Sequence, residues 1–213
     1  MIVVFDLDGT LIDSAPDIHA TANAVLTAEG LGRFDLARVR SFIGHGVPHL
    51  VDSMLAAHGI SDPVRAERMT AHVISRYEDA VLLTRPYPNV TATLDILREA
   101  GHRLAVCTNK PAAPARAVLR HLALDEYFEL VLGGDSGLPR KPDPAPLIEV
   151  VRQMGGGPAV YVGDSEVDAE TAEAAGLPLL LFTEGYRKAS ADSLPHDALF
   201  SDFADLPALI AAR

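Results

Sequence analysis

The chain opens with a short apolar run that leads directly into two aspartates, Ile2-Val3-Val4-Phe5-Asp6-Leu7-Asp8-Gly9-Thr10. The run lacks polar alternation, which is typical of a parallel strand that is buried on both faces. Four further runs of this kind follow: Leu104–Cys107, Leu130–Leu132, Ala159–Val162 and Leu179–Phe182. Amphipathic segments of helical length lie between runs, and this rhythm predicts an α/β fold with a doubly wound, Rossmann-like parallel sheet.

One long segment after the first run departs from this rhythm. Residues 15–85 contain no convincing strand, and apolar residues recur there at helical spacing in three stripes. The stripes are Ile18, Ala22, Val25 and Leu26; Val47, Leu50, Val51, Met54 and Leu55; and Met69, Val73, Tyr77 and Val81, from a helix that begins near Pro63. We therefore predict an all-helical cap at 15–85, inserted into an α/β core formed by 1–14 and 86–213. Two proline-bearing connectors, at 14–16 and 85–88, are candidate hinges.

Composition excludes several classes of protein. With 48% hydrophobic residues, the 213-residue chain can bury a core, and its formal net charge of −11 gives no global attraction to nucleic acid or anionic lipid. A single cysteine excludes a disulfide framework, the N-terminal apolar run is too short for a signal peptide, and no run reaches the length of a membrane span. We expect a cytoplasmic protein that binds neither nucleic acid nor membrane, and the sequence does not indicate its oligomeric state.

Polar side chains follow four of the predicted strands, and in open parallel sheets ligands bind at the carboxyl ends of strands. These side chains are Asp6, Asp8, Thr108, Asn109, Lys110, Lys141, Asp164 and Asp168. Several carboxylates in one crevice need a compensating charge, and a hard divalent cation such as Mg²⁺ supplies it while binding a substrate phosphate. A lysine and a hydroxyl would hold the remaining phosphate oxygens. The pattern predicts a Mg²⁺ site beside a phosphoryl group.

These segments resemble, in order and context, the four motifs of the haloacid-dehalogenase superfamily. The matching segments are Asp6-Leu7-Asp8-Gly9-Thr10, Thr108, Lys141, and Gly163-Asp164 to Asp168. The resemblance covers essentially the whole chain, including a helical cap after the first motif. Within the superfamily the chain is similar to the phosphoglycolate phosphatase group, through looser segments at 13–17, 43–46, 107–111, 133–135 and 185–186.

The resemblance implies a Mg²⁺-dependent phosphatase that works through an aspartyl-phosphate. Asp6 would be the nucleophile and a metal ligand, and Asp8 would be the general acid and base, with its main-chain carbonyl on the metal. Asp164 would be a further metal ligand. Asp168 would either bind the metal, through water, or act as a partner of Lys141.

The other candidate residues would contact the substrate. Thr108 and Lys141 would act on the phosphate during catalysis, and Asn109 would help to bind it. His45 lies between two glycines in the cap, where a loop can approach a ligand closely, so we predict that it binds substrate. Arg40 or Arg85 could join it in receiving a substrate carboxylate, whereas Lys110 fits a surface lysine as well as a site residue.

The best single prediction of the reaction is hydrolysis of 2-phosphoglycolate to glycolate and phosphate. A closing cap excludes polymers, so the partner is a small phosphorylated metabolite. Sugar phosphates, pyrophosphate, nucleoside monophosphates and a hexose phosphomutase reaction remain alternatives. A dehalogenase would lack Asp8, and a phosphonoacetaldehyde hydrolase would need a cap lysine, which 15–85 does not contain. A non-enzymatic binding protein is disfavoured because all four motifs carry reactive residue types.

Overall fold

The predicted parallel sheet is present, and its first strand lies in the middle of it. The computed structural model describes residues 1–213. The sheet has six strands: β1 (Ile2–Phe5), β4 (Arg103–Cys107), β5 (Leu130–Leu132), β6 (Ala159–Gly163), β7 (Leu179–Phe182) and β8 (Ala198–Phe200). Two further strands, β2 (Ile12–Asp13) and β3 (Arg85–Pro86), form a separate two-stranded ribbon. The order across the sheet is β5-β4-β1-β6-β7-β8, and every neighbouring pair is parallel. The carboxyl ends of β4, β1 and β6 therefore lie side by side.

Helices cover both faces of this sheet. They are α5 (Val90–Glu99), α6 (Ala112–His121), α7 (Ala145–Gln153), α8 (Glu166–Ala175) and α9 (Leu206–Ala211). Val3 and Phe5 of β1 pack in one apolar cluster with α5, α6 and α9, whereas Ile2 and Val4 pack in another with α7 and α8. Because both faces of β1 are buried, its sequence is a continuous apolar run. The predicted fold class is confirmed.

The inserted segment is helical and has an apolar cluster of its own. Its helices are α1 (Ala15–Ala28), α2 (Leu36–Arg40), α3 (Val47–Ala57) and α4 (Pro63–Tyr77). The first two predicted stripes are buried in α1 and α3, but the third ends with α4 at Tyr77, and Val81 packs against the core cluster instead. None of the nine helices combines the length and apolar character needed to span a bilayer. The boundaries at 15 and 85 stay a prediction.

The two connectors between cap and core pair with each other. Strands β2 and β3 form an antiparallel ribbon, with Asp13 opposite Arg85. Beside the ribbon, Asp17 of α1 accepts hydrogen bonds from the main-chain N–H of Leu83 at 2.9 Å and from the N–H and hydroxyl of Thr84 at 2.7 and 2.6 Å. The chain entering the cap is therefore tied to the chain leaving it.

Candidate active site

A small cavity lies between the carboxyl ends of the central strands and the cap. Its volume of about 40 Å³ holds about three water molecules. The side chains from the core are polar, whereas those from the cap are mostly apolar. The core supplies Asp6, Asp8, Thr108, Asn109 and Lys110, and the cap supplies Ile18, Ile43, Gly44, Gly46, Val47, Leu50 and Tyr77.

Three carboxylates meet beside this cavity, and Asp6 is the one of them that lines it. One oxygen from each of Asp6, Asp164 and Asp168 lies within 4.8 Å of the others. Lys141 is the ammonium group among them, with Nζ 3.0 Å from Asp6 Oδ1 and 2.7 Å from both Asp168 Oδ1 and the Tyr161 hydroxyl. Burial acts to lower the pKa of Lys141, but Asp168 and Asp6 outweigh burial and raise the pKa, so the ammonium stays charged.

Asp168 is fully occupied by hydrogen bonds. Its Oδ1 accepts from Lys141 and Tyr161, and its Oδ2 accepts from the main-chain N–H of Asp164 and from the N–H and hydroxyl of Ser165. Burial acts to raise the pKa of Asp168, but Lys141 and these donors hold the pKa below its usual value. Of the two roles considered for Asp168, the contacts favour the partner of Lys141 over the metal ligand.

Asp164 lies in a cradle that only glycine can form. Its Oδ1 accepts from the Thr10 hydroxyl and its Oδ2 from the main-chain N–H of Tyr186, both at 2.6 Å. A Cβ atom at Gly9 or Gly185 would overlap the Asp164 carboxylate. Burial, followed by the charges of Asp168 and Asp6, raises the pKa of Asp164 well above its usual value.

One carboxylate oxygen of Asp6 lacks a hydrogen-bond donor. Its buried Oδ1 has no such partner, because Lys141 approaches at ion-pair distance without hydrogen-bond geometry. Burial raises the pKa of Asp6 to about 7, with Asp168 adding to the rise and Lys141 opposing it. Three buried carboxylates thus share one ammonium, and a divalent cation held by Asp6 and Asp164 would supply the missing charge. The residues present fit Mg²⁺.

Asp8 lies apart from this acidic group. The Ser14 hydroxyl donates to Asp8 Oδ1 at 2.5 Å, and Lys110 Nζ is 3.1 Å from the same oxygen. Lys110 Nζ also lies 4.8 Å from the centre of the Tyr77 ring, which comes from cap helix α4. Lys110 is therefore a buried site residue, a point that the sequence left open.

Thr108 presents a free hydroxyl proton to the cavity. Its Oγ1 accepts from the main-chain N–H of Lys110 at 3.2 Å and makes no donated hydrogen bond within the chain. Helix α6 begins only at Ala112, after an N-cap at Pro111, so Thr108 does not cap it. The hydroxyl can donate to a bound phosphoryl oxygen.

Comparison with known proteins agrees with this geometry. A family model for haloacid dehalogenase-like hydrolases matches residues 1–176. The chain belongs to this family. A phosphoglycolate phosphatase of Rhodobacter capsulatus is 48% identical to it over 210 residues, which cover 98% of this chain and 95% of the relative. A phosphoglycolate phosphatase of Cereibacter sphaeroides (strain ATCC 17029) is 49% identical over 210 residues, which cover 98% of this chain and 96% of the relative. A solved structure of a predicted phosphoglycolate phosphatase from Haemophilus somnus has a TM-score of 0.90 at 31% identity, covering 98% of this chain and 97% of that one.

The comparisons confirm two of the sequence-based expectations. The predicted superfamily, with its similarity to the phosphoglycolate phosphatase group, is confirmed. The predicted enzyme class, a phosphoric monoester hydrolase, is confirmed as well. The assignment of individual roles to site residues stays a prediction.

In this haloacid dehalogenase-like hydrolase, Asn109 holds cap and core together. Its Nδ2 donates to the main-chain oxygens of Gly44 and Lys141 at 2.9 Å each, and its Oδ1 accepts from the Lys141 N–H at 3.0 Å. The side-chain amide is thus occupied by main-chain groups. The main-chain N–H of Asn109 makes no hydrogen bond within the chain, and the residue lines the cavity, so this N–H is the donor that remains for a phosphate and the predicted substrate contact stays a prediction.

The predicted carboxylate-binding residues of the cap lie outside the cavity. His45 does not line it, although both flanking glycines do, and its ring packs 4.7 Å from that of His49. Arg40 contacts Gly185 and Tyr186, and Arg85 donates to the main-chain oxygens of its own connector. The substrate role predicted for His45 is therefore not supported by the structure of this hydrolase.

Tyr77 is a cavity residue that the sequence did not reveal. It was expected only as one member of the apolar stripe of α4, and it is indeed buried with that stripe. Its ring also forms part of the cavity wall above Lys110. A tyrosine in an apolar helical stripe is typical of a core residue, so the spacing of the apolar residues in α4 could not indicate that Tyr77 also lines the cavity.

Proposed function

We propose that this hydrolase converts 2-phosphoglycolate to glycolate and phosphate, with Mg²⁺ as its cofactor and Asp6 as its nucleophile. The observation that carries the proposal is the Asp6 oxygen that accepts no hydrogen bond, buried in an acidic group at the wall of a small cavity. The two curated relatives named phosphoglycolate phosphatase support the choice of substrate. The substrate is thus a small phosphorylated metabolite, and the cytoplasmic location stays a prediction.

Asp6 and Asp164 would hold the metal, together with the main-chain carbonyl of Asp8 that the family resemblance implies. When bound, Mg²⁺ supplies positive charge to the carboxylates and to a phosphoryl oxygen. Lys141 is held beside Asp6 by Asp168 and Tyr161. Its ammonium can stabilise negative charge on the phosphoryl oxygens in the transition state.

The reaction takes place in two phosphoryl transfers. Asp6 attacks phosphorus while the bond to the glycolate oxygen breaks, which leaves an aspartyl-phosphate on Asp6. Asp8 donates a proton to the departing glycolate oxygen and later removes one from the water that hydrolyses the aspartyl-phosphate. In both steps the Thr108 hydroxyl donates a hydrogen bond to a phosphoryl oxygen.

Lys110 would bind the carboxylate of phosphoglycolate. It is the cationic side chain among the residues that line the cavity, and a buried unpaired carboxylate would be costly. A sugar phosphate, a nucleoside monophosphate and the substrates of a hexose phosphomutase have no carboxylate to pair with Lys110.

A phosphate-release screen tests the proposal. It compares phosphoglycolate, two hexose phosphates, pyrophosphate and a nucleoside monophosphate, each with Mg²⁺ and with EDTA. We expect the highest kcat/KM for phosphoglycolate and loss of turnover in EDTA that added Mg²⁺ restores. Asp6→Asn should abolish turnover while Asp143→Asn, a matched change at a helix start, should retain it. A higher kcat/KM for a hexose phosphate or full turnover in EDTA would contradict the proposal.

A further inference from the structure

The N-terminus of α1 is capped by a residue from the far end of the chain. Ser14 occupies the N-cap position but makes no side-chain capping bond. Instead, the hydroxyl of Tyr186 accepts from the main-chain N–H groups of Ser14 at 2.8 Å and Ala15 at 2.9 Å. The same hydroxyl donates to Asp13 Oδ1 at 2.7 Å. Asp13 Oδ1 accepts from the Ala15 N–H as well, at 3.3 Å, so Tyr186 and Asp13 together fix the main chain at Ser14 and Ala15.

The Ser14 hydroxyl, which makes no capping bond, has another partner. That partner is Asp8, whose Oδ1 accepts from Ser14 Oγ at 2.5 Å. The main chain that carries this hydroxyl is held by Tyr186 through the Ser14 N–H. If that bond were lost, the Ser14 main chain would be free to shift, and the hydroxyl that holds Asp8 would shift with it.

Tyr186 is also in contact with the cap and with Asp164. Its main-chain N–H donates to Asp164 Oδ2 at 2.6 Å. The guanidinium carbon of Arg40, in cap helix α2, lies 4.6 Å from the centre of its ring, and an Arg40 nitrogen donates to the Gly185 oxygen at 3.2 Å. A single buried residue thus joins the cap, the connector and a predicted metal ligand.

We propose that Tyr186 is a positioning residue that acts on Asp8 through Ser14, with Arg40 holding its ring in place. By accepting from the Ser14 main-chain N–H, Tyr186 fixes the residue whose hydroxyl keeps the Asp8 carboxylate oriented towards the leaving group of the substrate. This inference deepens the proposed function, because it rests on Asp8 as the general acid of that mechanism.

The first test compares leaving groups. Tyr186→Phe should lower kcat/KM for an alkyl phosphate between about tenfold and a hundredfold, as a misplaced catalytic group does. An alkoxide leaves poorly without a proton, whereas p-nitrophenolate leaves without one, so the loss on p-nitrophenyl phosphate should be much smaller. Equal losses on both substrates would mean that Tyr186 has only a structural role.

The second test is a double-mutant cycle with Ser14→Ala. If Tyr186 acts through Ser14, Tyr186→Phe should add little further loss of kcat/KM on the alkyl phosphate once Ser14 has been removed. Fully additive losses would contradict the proposal. The matched control is Tyr127→Phe, because Tyr127 also donates to a carboxylate, Asp95, and also lies beneath an arginine, Arg98, but in the core away from the cavity.

A third measurement is independent of activity. In Tyr186→Phe, hydrogen exchange at the amides of Ser14 and Ala15 should accelerate, while calorimetric Mg²⁺ affinity stays unchanged because the main-chain bond to Asp164 remains. Unchanged exchange would overturn the inference even if phosphoglycolate proved to be the substrate. Conversely, the wild-type protein could fail to hydrolyse phosphoglycolate while Tyr186→Phe still shows the expected effects on hydrogen exchange and on the two leaving groups. That result would overturn only the proposed function.

Discussion

Asp6 is a residue on which burial and charge act together. Its carboxylate shares a buried site with two others, and burial raises its pKa to about 7 from an ordinary value of 3.8. A proton or a metal ion can therefore relieve the same excess of negative charge. Near neutral pH the two compete for Asp6, and only the ionised carboxylate can attack phosphorus.

We expect this competition to be visible in the pH dependence of stability. Between pH 3.8 and about 7, folded Asp6 keeps a proton that it loses in the unfolded chain. The free energy of unfolding of the metal-free protein should therefore fall as pH rises through this window. Asp6→Asn cannot titrate, so the difference between wild type and variant isolates the effect from that of the histidines. Urea unfolding in EDTA from pH 5 to pH 8 measures it, and parallel pH curves for the two proteins would contradict it.

Lys110 is the second residue whose role can be isolated. Lys110→Met should impair turnover of both phosphoglycolate and a neutral aryl phosphate, because Asp8 loses its ammonium partner. The loss in kcat/KM should be larger for phosphoglycolate by about 1.5–3 kcal/mol, the contribution of a hydrogen bond to a charged group. Lys188→Met, an exposed lysine outside the cavity lining, is the control. An equal loss on both substrates would place the carboxylate elsewhere.

The site residues that the sequence predicted are those at strand ends. Asp6, Asp164 and Lys141 meet because the carboxyl ends of parallel strands share one edge of the sheet. Lys110 and Tyr77 could not be assigned in this way, because their contact depends on where α4 packs over the core. For the same reason, His45 lies beside the cavity without lining it.

Among the elements, the two connectors between cap and core are bound to each other. One buried carboxylate, that of Asp17, accepts three hydrogen bonds from residues 83 and 84. The ribbon and this carboxylate together fix where the chain enters and leaves the cap. The connectors were expected to be hinges, and a hinge here would have to bend as a paired unit.

Removing the Asp17 carboxylate should therefore destabilise the protein. Asp17→Ala leaves two main-chain N–H groups and a hydroxyl without their acceptor, at a cost of about 2–4 kcal/mol. Asp52→Ala, an exposed aspartate on α3, should change the free energy of unfolding by less than about 0.5 kcal/mol. Urea unfolding measures both variants, and equal stability of the two would refute the assignment.

The elements that sequence predicted are the long or wholly apolar ones. Five of the six sheet strands follow from uninterrupted apolar runs, and α1, α3 and α4 follow from apolar spacing. The remaining strand, β8, is a three-residue edge strand, and α2 has five residues, so neither is long enough to show a period. The ribbon strands have two residues each and form only because the connectors lie together.

At the scale of the whole molecule, few polar contacts hold the cap over the core. Asn109 bonds to Gly44, Arg40 contacts Gly185 and Tyr186, and Tyr77 lies over Lys110. The cavity beneath them is small, so a substrate can enter only if some of these contacts open. We expect Asn109 to limit the opening of the cap loop at 44–47.

Asn109→Ala should accelerate hydrogen exchange at 44–47 and raise KM for substrate. Asn23→Ala is the matched control, since Asn23 holds the main chain of Phe34 with a similar set of bonds entirely within the cap. That variant should accelerate exchange near residue 34 and leave 44–47 unchanged. Exchange at 44–47 that responds equally to both variants would show general loosening of the cap instead.

The central position of β1 has a consequence for how the protein is made. Ile2 pairs with Arg103 on one side and with Ala159 on the other. During synthesis the first strand leaves the ribosome long before either neighbour exists, and its apolar side chains stay without a sheet until most of the chain has emerged. Such distant pairings make folding slow and leave nascent chains prone to aggregation. The strand that leads into Asp6 is thus synthesised well before the two strands that enclose it, so we expect chaperones to influence the yield of active enzyme.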